Sequence, residues 1–412
     1  MHLRLRALLL LGLSTTPACI KACDAPAPAV DAGPGAASVH PDPLGPPSQH
    51  QLPTTDGKAT VANLDGQIDA LSGLIRGKGD QVSNRRALVP LLSARAQFLG
   101  KVADAERAAA LADELVRDVP GQAWPLVMRA STRTAMHLFS AALADLDEAE
   151  KRGTPAGALM EQRAVILEGQ GDLDAALAIR RAEREAHPDI TSYGLEATLL
   201  GKLGRAEEAK DGFARAIVDY RNLSAFPIAW LFLQEGLFWE SAGETDRARS
   251  YYQAAHDRLP AYGHAASHLA LLVPPAQGIE LLAPIAEASD DPEFEMILAG
   301  RLRAAGRATE ADARAAHAGV RYAELVERHP EAYAEHLGFF LLDEGKDPGK
   351  AFALARINLT VRHTEKAYQL ALLSALAAGK RAEACTLGEE ARKLPHASEM
   401  LRGIAARACE RQ

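Results

Sequence analysis

A chain of 412 residues, 48% of them hydrophobic, is long enough for a continuous core, and its abundant alanine with only 5% aromatic residues fits stacked helices and argues against a sheet-rich fold. Its 46 basic and 54 acidic residues are interspersed and sum to −8, which disfavours nucleic acid as the main partner, because phosphate binding needs a concentrated basic face.

The chain opens MHLRLRALLLLGLSTTPAC. Arg4 and Arg6 make a basic start, Ala7 to Leu13 form an apolar stretch too short to span a bilayer permanently, and small residues precede Cys19. This order predicts a signal peptide over residues 1–18. A cysteine after a small residue resembles the signal of bacterial lipoproteins. The resemblance implies acylation of Cys19 and a periplasm-facing place in a bacterial envelope, on either membrane. Thr16 and Pro17 depart from the usual pattern, Cys23 after Ala22 is a second candidate, and cleaved soluble export is the alternative. Residues 19–57 are rich in Pro, Ala, Gly, Asp and Ser without an apolar period, which predicts a disordered tether partly stiffened by proline.

A solenoid is expected over residues 58–412. Leu64, Ile68, Leu71 and Ile75 share one face of a predicted helix over 61–76. Pairs of small residues twelve apart then recur at about 34 residues: Ala96/Ala108, Ala130/Ala142, Ala164/Ala176, Ala197/Ala209, Gly236/Ala248 and Ala299/Ala311, with Leu372/Ala384 keeping the spacing. A period of this size marks a helical solenoid, which cannot bury its units singly and so stacks them. Residues 229–260 display the unit. Phe232, Gly236 and Trp239 lie on one face of a first helix, Gly243-Glu244 ends it, Ala248, Tyr252 and Ala255 face inward from a second, and Pro260 closes it.

These residues resemble the tetratricopeptide repeat. The resemblance recurs at Gly171-Asp172 with Ala176, Gly204-Arg205 with Ala209, Gly306-Arg307 with Ala311, and Gly379-Lys380 with Ala384. It implies an all-α, right-handed α-solenoid of about nine units over 82–395. Three features are irregular. Pro274-Pro275 stands at the turn of unit 261–292, a lengthened helix is expected through RYAELVERHP, and Asp347-Pro348 forms the turn of unit 331–358. Residues 397–410 are expected to cap the last apolar face. Cys385 and Cys409, in the last unit and the cap, are candidates for a disulfide in an oxidising compartment, with two buried thiols as the alternative.

The chemical motifs are weak. His264 and His268 have helical i, i+4 spacing, but Ala265 follows the first histidine and no third ligand is evident; surface histidines are the expectation, and no metal site is assigned. His329 and His336 add no better case. Glycines 153–157 and 169–171 read as turns, the stretch Asp145-Leu146-Asp147-Glu148 as a solvated face, and the glycosylation patterns at Asn222 and Asn358 as chance. No catalytic residue or cofactor site is assigned. In the tetratricopeptide family the first helix of each unit lines a concave groove. The positions between core residues are Trp124 and Val127 in one unit and Trp230, Leu233 and Leu237 in another, a candidate groove for a peptide or protein unless tight curvature covers them. Ser93, Gln97, Ser131 and Glu161 stand where some members grip a C-terminal carboxylate, so that mode is not expected. The resemblances imply a protein-binding scaffold of the envelope or, alternatively, a structural subunit of an envelope assembly, secretion or export machine.

Overall fold

The computed structural model describes residues 45–410 except 78–79, 219 and 221. The predicted signal peptide, Cys19, Cys23 and the tether up to residue 44 lie outside the described residues. Helix α1 (Gly57–Arg76) precedes nine hairpins. Unit 1 is α2 (Gln81–Leu99) with α3 (Val102–Asp118), unit 2 is α4 (Trp124–Ala135) with α5 (Phe139–Lys151), and unit 3 is α6 (Met160–Gln170) with α7 (Leu173–Ala186). Unit 4 is α8 (Ile190–Lys202) with α9 (Ala206–Val218), unit 5 is α10 (Ala225–Ser241) with α11 (Thr245–Arg258), and unit 6 is α12 (Gly263–Leu272) with α13 (Pro275–Ala288). Unit 7 is α14 (Pro292–Ala304) with α15 (Ala308–Arg328), unit 8 is α16 (Pro330–Asp343) with α17 (Pro348–Asn358), and unit 9 is α18 (Glu365–Ala377) with α19 (Arg381–Ala391). Helix α20 (Glu399–Cys409) caps the array, and no strand occurs among the described residues.

The irregular units fold as the sequence predicts. Val273-Pro274 makes the turn of unit 6, and Tyr322 and Leu325 lie buried on the long α15. Six turns use glycine at positive φ: Gly100, Gly171, Gly204, Gly243, Gly306 and Gly379. Where a hairpin carries the small pair, that pair sits where its two helices approach. Ala130 and Ala142, Ala164 and Ala176, and Ala197 and Ala209 are fully buried. At Gly236 a β-carbon would stand 2.4 Å from the Tyr252 ring, so the aromatic of the second helix occupies the space that glycine leaves. Period, turns and pairs together make the array a solenoid of tetratricopeptide-like hairpins.

Helix α10 is apolar nearly all round because the coil is wound tightly enough to fill its own axis. Every residue from Ala225 to Gly236 of α10 is buried. Phe98 of unit 1 meets Phe226 of unit 5 and Tyr262 before unit 6, with ring centroids 4.6 and 4.9 Å apart. A buried Phe ring contributes about 1.5–3 kcal/mol, so this cross-axis cluster competes on equal terms with packing inside the hairpins.

Successive turns of the coil also touch along a seam with a constant register. Ser289 and Asp290, before unit 7, donate to the Gly100 carbonyl at the turn of unit 1 (2.6 and 3.3 Å). The Asp290 carboxylate accepts the Val102 and Ala103 N–H groups (2.6 and 2.9 Å), satisfying the otherwise uncapped start of α3. His137, at the turn of unit 2, sits 3.2 Å from the Glu331 carbonyl of unit 8. The His363 N–H, before unit 9, donates to the Gln170 carbonyl of unit 3 (3.0 Å). The turns of units 1–3 therefore each rest on the start of the unit six places later, at the loop before it or its first helical turn. Ion pairs reinforce the seam: Glu106 with Arg328 and His329, both 2.9 Å, and Asp174 with His396 at 3.0 Å.

Three sequence expectations need correction. The disordered tether does not extend to residue 57: residues 45–56 lie on the array, with Pro47 and Leu52 buried, because Leu52 supplies the apolar anchor that composition averaged away. Asp145 and Leu146 are buried rather than solvated, and the Asp145 carboxylate accepts hydrogen bonds from both Arg129 (2.9 and 2.6 Å) and Arg133 (2.7 Å). His268 is not a surface histidine: it is buried, with Nδ1 3.1 Å from Glu240.

Candidate interaction surfaces

The sequence-derived groove is largely closed. Trp230 and Leu233 are 1% and 2% exposed, and Leu237 is half-buried. The Trp230 ring packs over Gly194, where a β-carbon would lie 2.8 Å from it, so the neighbouring first helix covers it. Trp124 is half-buried beneath the Arg86 guanidinium, 4.5 Å from the ring centroid. Val127, also half-buried, packs against a separate cluster around Ala130, Phe139 and Ile166. The two sets belong to different units and form no common open surface. The physical reason is the tight curvature, which turns groove positions into core positions.

The inner wall of units 7–9 instead carries a buried polar cluster. Glu335 accepts from Asn358 Nδ2 (3.0 Å), and its other oxygen lies 3.2 Å from Lys366 Nζ and 3.7 Å from Arg362 Nη1. Burial works to raise the Glu335 carboxyl, but Arg362 and Lys366 outweigh it and hold it at about 2. Burial pushes His137 and His336, beside this group, down to about 3, so both are neutral. Burial and the nearby Asp291 push Glu293 in the opposite sense, well above the usual carboxylate range. Asn358 is fully buried in this cluster, which closes its glycosylation pattern to modification in the folded chain.

Carboxylate–histidine contacts elsewhere have structural settings. Glu240 bridges His268 and the Tyr252 hydroxyl (2.5 Å) between units 5 and 6. The His264 ring faces Phe294, centroids 5.5 Å apart, instead of converging with His268 on a common ligand position. Cys385, Glu389 and Cys409 bring ligating atoms together, but the sulfurs are bonded to each other, which removes the thiolates a metal would need.

That disulfide answers the alternative left open by the sequence. It joins α19 to the cap α20 across 24 residues of chain. In chain-entropy terms a loop of this size gives about 3 kcal/mol. Cys409→Ser is therefore expected to speed amide exchange in α20 by a comparable local free energy while units 1–6 stay unchanged. Equal exchange in the two proteins would show that the bond adds nothing to the cap.

Two surfaces were not legible as sites in the sequence. The first is the strap of residues 45–56. Arg258, 4% exposed at the end of α11, donates from Nη1 to the Leu52 carbonyl (2.6 Å) and from Nη2 to the Pro47 carbonyl (3.0 Å). Its guanidinium stands 5.2 Å from the centroid of the Phe232 ring. The Thr55 N–H donates to the Leu223 carbonyl (2.7 Å). The partners are more than 160 residues apart, and main-chain carbonyls carry no side-chain signature. A buried arginine ending the second helix of the most regular unit is the single cue.

The second is the turn edge of units 4–7 and 9. Adding a β-carbon to Gly100 or Gly171 would strike the next coil turn within 2.7 Å, but at Gly204, Gly243, Gly306 and Gly379 it would meet nothing within 4 Å. Backbone geometry is alike at both sets, while the occupant of the seam is present at one and missing at the other. Between units 5 and 6 this open edge forms a groove of about 410 Å³ between Asp246, Arg249, Ser250 and Gln253 of α11 and Val273, Pro274 and Gln277 of unit 6. Among the described residues, no helix is long and apolar enough to cross a membrane.

No family model and no curated protein matches the chain. Among solved structures it is similar to the APC/C hetero-tetramer Cut9–Hcn1, at 15% identity over 84% of this chain and 67% of that one, with a TM-score of 0.45. It is also similar to a tetratricopeptide repeat protein from Parabacteroides merdae, at 16% identity over 70% of this chain and 99% of that one, with a TM-score of 0.32.

Proposed function

We propose that this chain is a protein-binding scaffold of the bacterial envelope, held to a membrane through an acylated Cys19 and engaging partners along the open turn edge of units 4–7 and 9. The observation that carries the binding role is the contrast along one repeated edge. Units 1–3 have their turns covered by the loop six units later, and the turns of units 4, 5, 7 and 9 present the same backbone to solvent. A preorganised edge binds without ordering cost, which favours recognition by a rigid array. The groove between units 5 and 6 sets carboxylate, guanidinium and amide groups beside Val273 and Pro274, a mixed lining that suits the surface of a protein partner. The basic start, short apolar stretch and cysteine of the first nineteen residues support export and anchoring.

Capture from detergent-solubilised envelope, comparing wild type with Arg249→Glu/Gln253→Arg, tests the edge. Loss of the main captured proteins from the variant is expected, and identical recovery in identical amounts would refute this location. Palmitate labelling tests the anchor: the label should vanish in Cys19→Ser, and its retention would exclude that attachment point.

A further inference from the structure

We propose that the edge of units 5 and 6 around Arg258 is a peptide-binding site, filled in cis by residues 45–56, which exchanges this strap for a turn-forming, proline-flanked apolar segment of a partner protein. The inference rests on the reading of the chain as a binding scaffold and adds a second, separate site with its own ligand chemistry.

Three observations converge. Recognition of the strap is by main chain: Arg258 binds two carbonyls five residues apart, at Pro47 and Leu52, and the Leu223 carbonyl takes the Thr55 N–H. The Leu52 N–H donates to the Ser48 carbonyl (3.0 Å), and this turn brings both carbonyls to one guanidinium; such contacts are available from any segment that makes the same turn, with specificity left to the two buried side chains, Pro47 and Leu52. The strap is also lightly held. Residues 48–51, 53, 55 and 56 are exposed, and several of its polar groups bond within the strap, as Gln49 does with Thr54. Finally, seam register explains why this edge is available. The loops leading into units 5 and 6 have no hairpin six units earlier to cover them, so a segment without regular structure takes the place a turn occupies elsewhere.

Departure of the strap would uncover the Arg258 donors and the apolar seat of Leu52. An unbonded buried guanidinium is costly, so exchange for a like segment is favoured over an empty site. The required ligand is a peptide that makes the strap's turn, with an apolar residue at the Leu52 position, proline-flanked, and two free carbonyls facing Arg258.

The test uses the full chain and a fluorescent peptide of residues 45–56. Leu52→Asp should release the strap, so this variant should bind the peptide at least about tenfold more tightly than wild type, which is 1.4 kcal/mol. Adding Arg258→Gln should remove that gain, and a peptide carrying Leu52→Asp should not bind. Thr55→Pro, which deletes the N–H bonded to Leu223, serves as a second release variant, and a wild-type circular dichroism spectrum confirms the fold of each. Peptide binding that is equal in wild type and both release variants, or that survives Arg258→Gln, overturns the proposal and makes the strap a fixed part of the fold. A wild-type dimer that dissociates in Leu52→Asp would overturn the partner as occupant in favour of a second copy's strap. Because purified components are used, failure here is separable from failure of envelope capture along the open edge.

Discussion

Gly100→Ala is expected to destabilise the array by roughly 2–5 kcal/mol, while Gly306→Ala costs about 1–2 kcal/mol. Both glycines end the first helix of a unit in the left-handed region, at φ of 61° and 79°. Both substitutions therefore incur the backbone penalty of an L-residue there. Gly100 adds a second cost. Its methyl group would lie 2.3 Å from Phe294 Cε2 and 2.6 Å from Ser289 Oγ, across the seam. Phe294 is fully exposure-free and already fills the space beside Gly263, so its ring has no room to retreat. Urea unfolding of the two variants isolates the seam as the difference between them. Equal midpoints and slopes would mean that contact between coil turns contributes nothing measurable.

Glu335→Ala is expected to be as damaging, at about 3–5 kcal/mol, because it strands buried positive charge. The Arg362 and Lys366 side chains are 4% and 10% exposed, and Glu335 is their shared counter-ion. Asn358 loses its acceptor in the same step. The pH dependence separates charge from packing. Glu335 is held at about 2 in the folded chain, below its ordinary value, so its contribution is complete above the usual carboxylate range and is lost as pH falls toward that value. Glu293 acts with the opposite sign: its folded value is raised, so its contribution is complete below the usual range and is lost as pH rises through the raised value. Wild type should therefore lose stability between about pH 5 and 2 through Glu335, and Glu335→Gln should flatten that acid limb while leaving the alkaline one. An acid limb of unchanged slope in the variant would assign the loss to other carboxylates.

Local features were legible from the residues. The pairs such as Ala130/Ala142 predicted where helices meet, Gly243-Glu244 marked a turn, and Cys385 with Cys409 were placed on adjacent helices that are indeed bonded. These signals act within about one period. What the sequence hid acts across a whole coil turn. Trp230 and Leu233 read as groove residues because a single unit leaves them uncovered, and the cover comes from the curvature of the array. The Arg258 contacts with the strap span 206 and 211 residues and involve carbonyls that every residue possesses. Buried polar residues such as Glu335 and Asp145 looked like ordinary charged helix positions, since composition cannot distinguish a solvated carboxylate from one clamped by two cations.

The six-unit register of the seam restricts how such a chain can change in length. A duplicated hairpin inserted between units 3 and 7 would put unit 1 opposite the wrong loop, and every pairing across that boundary would slip together. Asp290 would no longer face the start of α3, nor His363 the Gln170 carbonyl. Growth or loss of hairpins is thus tolerated at the termini and forbidden in the middle, which makes this modular protein behave in its interior like one whose length is locked.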